Sequence, residues 1–139
     1  MPYFQQELFI ASQARGLLTD QAYLDALALD FRIARQEGID EVMNRLELDA
    51  LFAPTRSPAW GIDVVSGDRG SIGSSTPAAL AGYPLVTVPA GYAFGELPVG
   101  VTFMGRRWSE PTLIKIAFAF EQATRVRRPP KFLPTLRFA

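Results

Sequence analysis

Hydrophobic positions along the first third of the chain recur at helical spacing. Phe4, Leu8 and Ala11 share one face of a segment from Phe4 to Ala14, and Gly16 is placed to stop it. Thr19 is a favourable N-cap for a second helix, with Asp20 bringing negative charge to the first turn. Tyr23, Leu27, Phe31 and Ala34 then form a single apolar stripe, which Gly38 ends. A short third helix is predicted from a cap at Asp40 through Val42, Met43 and Leu46.

Beyond that point the period changes. Leu48 to Ala53 is a short, mostly apolar run closed by Pro54, the pattern of a buried strand. Residues 55–75 carry Pro58, Gly61, Gly67, Gly70, Gly73 and several serines, and read as one long loop of the kind that commonly serves function. Thr76-Pro77 sets a cap followed by proline at the first helical position, opening an Ala-rich helix that stops at Gly82. Leu85–Pro89 and Val99–Met104 read as strands around a turn at Gly95. Glu110-Pro111-Thr112 begins a final helix whose buried face is Leu113, Ile116, Ala117 and Phe120. The tail from Arg125, with Arg127, Arg128, Lys131 and two prolines, reads as extended and solvated. Helices alternating with short strands predict α/β layering, and no break suggests a second core, so residues 1–139 are expected to form a single domain.

Composition removes more chemistry than it adds. At 139 residues and 48% hydrophobic, the chain lies in the globular range. The absence of cysteine excludes disulfides, a thiolate nucleophile and thiolate metal sites. The absence of histidine excludes an imidazole base, a Ser-His-Asp triad and His-ligated zinc. No cofactor or metal is expected. The start lacks the basic region of a signal peptide, and no apolar run approaches the ~20 residues that span a bilayer. A soluble cytoplasmic chain is therefore expected, without a membrane partner. Lys+Arg 14 balance Asp+Glu 14, and the basic tail has no interleaved aromatics, so a nucleic-acid partner is not expected either.

One stretch invites a chemical reading twice. Gly70-Ser71-Ile72-Gly73-Ser74-Ser75-Thr76 would present amides to a phosphate at the helix start, but it lacks the Gly-Lys-Ser/Thr ending of a P-loop. As a nucleophile loop, Ser74 or Ser75 would need a base, and Lys115 or Lys131 are the candidates. Lys115 stands between Ile114 and Ile116, where a snorkelling surface lysine is the simpler account. Trp60, Arg106, Arg107 and Trp108 could line a pocket or merely pack at its rim.

Three longer segments are specific. Leu48-Asp49-Ala50-Leu51-Phe52-Ala53-Pro54-Thr55 resembles the D-x-L-x-x-P-T strand of the amidase signature family. The run from Thr76 to Gly91, containing Gly82-Tyr83-Pro84 and Val88-Pro89-Ala90-Gly91, resembles its N-x-x-G-x-P-x-x-x-V-P-x-G segment. Leu97-Pro98-Val99-Gly100-Val101-Thr102-Phe103-Met104-Gly105 resembles its L-P-V-G-x-Q-x-x-G strand. Order and spacing agree, and the likeness covers nearly the whole chain, including Tyr23 and Arg35 ahead of the first strand.

The resemblance implies an α/β fold with a mixed β-sheet flanked by helices, of which this chain is a C-terminal segment. It implies amide-bond hydrolysis by a Ser–cis-Ser–Lys triad whose members lie upstream of every motif matched here. On that footing the chain carries no catalytic residue, is inactive alone, and needs the N-terminal part of the fold as its partner, in the same chain or another. The Gly73-Ser74-Ser75 string is then a decoy for the nucleophile segment, because Thr76-Pro77 stands where glycines should follow. The loop before the Gly82 helix contributes to the family's substrate pocket, which assigns substrate contacts to Arg69, Ser74 and Ser75 and leaves the amide substrate itself open, since Ala79 stands where asparagine is common. A sheet cut from a larger sheet also exposes an edge, so a homodimer or higher oligomer is expected. The other reading is a stand-alone non-catalytic module that binds a partner through that edge.

Overall fold

In this computed structural model the described residues are 5–67 and 72–132. Helix α1 (Glu7–Gln13) precedes α2 (Gln21–Phe31), which runs on through a wider, π-wound segment (Arg32–Ile39) into α3 (Asp40–Arg45). Strand β1 (Leu51–Pro54), helix α4 (Ser75–Ala81), the hairpin β2 (Leu85–Ala93) and β3 (Leu97–Met104), and α5 (Glu110–Thr124) follow.

The three strands lie in the order β1-β3-β2, with both pairings antiparallel. Leu51 and Leu85 stand on either side of Met104, and Phe52 and Val86 on either side of Phe103. Helices thus stand against a sheet, but the parallel pairing that a mixed sheet requires is not among these three strands. The expected face of α5 packs on the sheet: Leu113 and Ala117 are buried with Val88, Val101 and Phe103, and Ile116 and Phe120 lean on them. Phe120 meets Phe103 edge-on, with ring centroids 5.7 Å apart. A second cluster joins Ala34, Ile39, Met43 and Ala81, and draws in Leu48, Leu51 and Tyr83.

Several boundaries differ from the pattern, each for a local reason. Asp20, not Thr19, takes the N-cap position, in extended conformation at φ −65° and ψ 136°. Gly38 kinks the helix at φ −111° and ψ −105° instead of ending it, because Ile39 and Met43 continue the buried stripe. Strand β1 starts at Leu51 because the chain is still closing α3 at Leu48, whose N–H donates to the Met43 carbonyl at 2.9 Å, after a left-handed Glu47 at φ 50°. Helix α4 starts at Ser75 with Ser74 at its cap position, so Pro77 falls inside the first turn, where its missing N–H costs nothing. Gly82 does end α4, at φ 62°, a left-handed conformation that side chains resist. Both hairpin strands run past their prolines, joined by a tight turn in which the Glu96 N–H donates to the Ala93 carbonyl at 3.1 Å.

The amino-terminal helices are apolar but bury little here. Neither α1 nor α2 has a buried residue, and Leu8, Phe9, Ile10, Leu17 and Leu18 are 68–77% exposed. The edge residue Phe52 is 74% exposed. Among the described residues, no helix is long and apolar enough to cross a membrane.

Candidate functional site

The sheet face turned away from α5 carries hydroxyls. Thr102, on the central strand, shares hydrogen bonds of 2.8 Å with Thr55 and with Thr87, its cross-strand neighbour. The three Oγ1 atoms therefore form a continuous chain, with buried Thr102 in the middle and exposed Thr87 at one end. Gly100 makes the close approach possible, since a Cβ there would come within 2.8 Å of Thr55 Oγ1 and 3.0 Å of Thr87 Cγ2.

A cleft of about 320 Å³ opens beside this chain. Thr55, Arg56 and Ser57 form one side, and Thr87, Val88, Pro89, Pro98, Val99 and Gly100 of the hairpin form the other. The Thr55 N–H donates to the Gly100 carbonyl at 2.9 Å, which ties the loop after β1 to the hairpin. Ser57 Oγ is buried without a hydrogen-bond partner among the described residues. Arg56 stacks over the Trp60 ring at 5.4 Å, and with Ser57, Ala59 and Ile62 these two side chains border a neighbouring cavity of about 410 Å³. Farther along the loop, the Ser66 and Val65 N–H groups hold the Asp63 carboxyl below its ordinary pKa range by hydrogen bonding to its charged form.

The returning end of the long loop is fastened here as well. Arg56 and Gly73 form an antiparallel bridge, and the Ser57 N–H donates to the Ile72 carbonyl at 3.3 Å. Ser74 is buried at 9% exposure, and both its N–H, at 3.3 Å, and its hydroxyl, at 3.4 Å, point to the Thr55 carbonyl. Ser75 is exposed in the first turn of α4. Arg69 lies outside the described residues. Ser74 thus meets the cleft through Thr55, and Ser75 borders the loop without lining the cleft.

The lysines go elsewhere. Lys115 is exposed on α5, and Lys131 Nζ lies 3.8 Å from Glu96 Oε1. The other candidates are not gathered into one pocket. Arg106 Nη2 donates to Asn44 Oδ1 at 2.7 Å, and Arg107 stacks on Trp108, which is 75% exposed. Among the described residues, no group of three or more acidic, histidine or cysteine side chains could hold a metal ion. What the cleft offers is hydroxyls, backbone and one cation, the Arg56 guanidinium, suited to holding a polar molecule in position. The threonines are the residues that pattern reading passed over. Each sits inside a matched motif (Pro54-Thr55, Val86-Thr87-Val88, Val101-Thr102), and alternation along β3 could have put Thr102 opposite the α5 face.

Comparison with known proteins places this geometry. A family model described as Amidase matches residues 4–114. An Arabidopsis thaliana protein named as a probable amidase is 37% identical over 129 residues, which is 92% of this chain and 22% of that protein. The peptide amidase solved with the competitive inhibitor chymostatin superposes with a TM-score of 0.88 at 48% identity, covering 95% of this chain and 27% of that one. Native peptide amidase from Stenotrophomonas maltophilia gives 0.82 at 49% identity, over 93% of this chain and 26% of its own. The chain thus spans about a fifth to a quarter of the length of these relatives.

Proposed function

The chain belongs to the amidase family, and we propose that it is the C-terminal region of an amide-bond hydrolase in which the threonine-lined cleft forms one wall of the substrate pocket. Residues 1–139 then act as one unit of a larger fold. The observation that carries this reading is the close superposition on peptide amidase over nearly the whole chain and only about a quarter of that enzyme. The same likeness favours a peptide amide as the substrate class.

The chemistry belongs to the complementary N-terminal part, which supplies the Ser–cis-Ser–Lys triad that the family resemblance implies. Nucleophile, proton shuttle and base act as a unit, so the chain alone has no catalytic residue and is inactive. Its own contribution is positioning: the cleft hydroxyls and the loop carrying Arg69, Ser74 and Ser75 hold the substrate against the triad. The exposed apolar residues of α1 and the connection after it, Leu8, Phe9, Ile10, Leu17 and Leu18, are the surface the complementary part covers. A cysteine-free chain suits the cytoplasm, and without its complement it buries the orphaned surface by pairing with copies of itself. The exposure of Phe52 on edge strand β1 favours a second reading, a non-catalytic module that binds a partner through that edge.

The test is ammonia release from a C-terminally amidated peptide, by the chain alone and by the chain co-expressed with the N-terminal portion of a peptide amidase. No release alone and release from the pair support the hydrolase reading. Turnover by the chain alone that disappears in Ser74→Ala or Ser75→Ala overturns it.

A further inference from the structure

Residues 125–132, beyond α5, are extended and largely exposed as the pattern predicts, but they are not free. This tail turns back onto the β2–β3 hairpin and is held there chiefly by Arg128. The guanidinium carbon of Arg128 lies 3.6 Å above the Tyr92 ring. The Arg128 backbone N–H donates to Tyr92 Oη at 2.9 Å, and the side-chain Nη2 donates to the Gly95 carbonyl at 2.8 Å. A looser pair, exposed Lys131 with half-buried Glu96 at 3.8 Å, stands farther out. The guanidinium thus meets the ring face and the carbonyl of the hairpin turn at once, which its planar fork can do and an ammonium cannot, while the hydroxyl is met by the backbone.

The hairpin is weak just inward of the point that this latch grips. Pro89 and Pro98 have no N–H to give to the ladder, and the register shifts between Pro89 and Gly91. Between the Val88–Val101 pair and the Ala93–Leu97 pair the strands are therefore poorly tied, and the bulge is a natural pivot. The cleft wall straddles that pivot. Pro98, opposite Tyr92, lines both the cleft and a cavity of about 310 Å³ beneath the tail.

We propose that Arg128 is a positioning residue that clamps the outer hairpin, beyond its bulge, to the tail after α5 and so sets the width of the cleft. The link to substrate rests on the proposed function; the clamp itself rests on the geometry alone. With Arg128 released, the outer hairpin pivots, and Pro98 and Val99 move against Thr55 and Arg56.

Hydrogen exchange on the isolated chain tests the clamp. In Arg128→Ala the amides of residues 91–97 and 99 exchange about tenfold faster, whereas those of 86–88 and 101–103 keep their protection. Arg128→Lys, which keeps the charge without the fork, recovers only a minor part. Unchanged exchange, equal acceleration throughout the sheet, or full recovery by lysine would each overturn the clamp. In the chain paired with its complementary portion, Arg128→Ala raises KM for an amidated peptide about fivefold and leaves kcat within about twofold. A fall in kcat at unchanged KM overturns the positioning role. If the wild-type pair shows no turnover, the hydrolase reading fails while the exchange result still decides the clamp.

Discussion

Arg35 Nε donates to the carbonyl oxygen of Ala81 at 2.6 Å, joining residues 46 apart in sequence. The bond satisfies a carbonyl at the end of α4 that the helix itself leaves unpaired, and it brings positive charge to the negative end of the helix dipole. The same guanidinium lies 3.5 Å above the Phe31 ring and 5.6 Å from the centre of Tyr83. Helix α4 is thereby fixed to the helical pair, and its Ser74 end is set against Thr55 at the cleft. Arg35→Ala is expected to destabilise the chain by about 2 kcal/mol, through a lost charged hydrogen bond and a lost ring contact. Arg35→Lys recovers only part. The urea midpoint measures both, and a loss below about 0.5 kcal/mol would show that α4 holds its place without this residue.

Leu113 is fully buried between α5 and the sheet, so Leu113→Ala should cost about 3 kcal/mol. Phe120 lies at the border of the same cluster and keeps part of its surface in water, so Phe120→Ala should cost less than the roughly 3–5 kcal/mol of a fully buried aromatic. Equilibrium unfolding of the two variants ranks them. The reverse order would place the centre of this core nearer the end of α5.

The Tyr83 phenol is raised above its ordinary pKa, first by burial and then by its hydrogen bond to the Asp40 carboxylate, 2.7 Å away. The folded chain therefore holds this proton more tightly than the unfolded chain. The stability this contributes is fully present below the unfolded phenol value of 10.0 and is lost as pH rises through the higher folded value. Tyr83→Phe should flatten the fall in unfolding free energy above about pH 10 and leave its slope near neutral pH unchanged. An alkaline slope identical in the two proteins would assign the loss to other groups.

Phe52 projects 74% exposed from β1, whose outer edge has no partner strand among the described residues. The isolated chain is expected to self-associate at micromolar concentration, and Phe52→Lys should shift it toward monomer by placing a charge on the edge. Sedimentation velocity reads the difference. A folded wild-type monomer that binds no hydrophobic dye would remove the association.

The order of helices and strands, the buried stripe of α5, the stop at Gly82 and the turn at Gly95 were all legible in the chain, because each depends on neighbours within a turn or two. Motif order and spacing reached further and brought out the family. The sequence alone also settled which chemistries have no residues to perform them, as with histidine and cysteine. Tertiary structure decided what depends on contacts between distant segments. Thr55, Thr87 and Thr102 belong to three separate motifs, and only the antiparallel register of β1, β3 and β2 makes them one chain of hydroxyls. Ser74 looks like a nucleophile in sequence, yet folding turns its hydroxyl toward the Thr55 carbonyl. Arg128 looks like one charge in a basic tail, yet the return of the tail sets it over Tyr92. Local pattern carries backbone preference and hydrophobic period, whereas a side chain's partner is chosen by how whole elements pack, and that choice is written nowhere within reach of a single window of sequence.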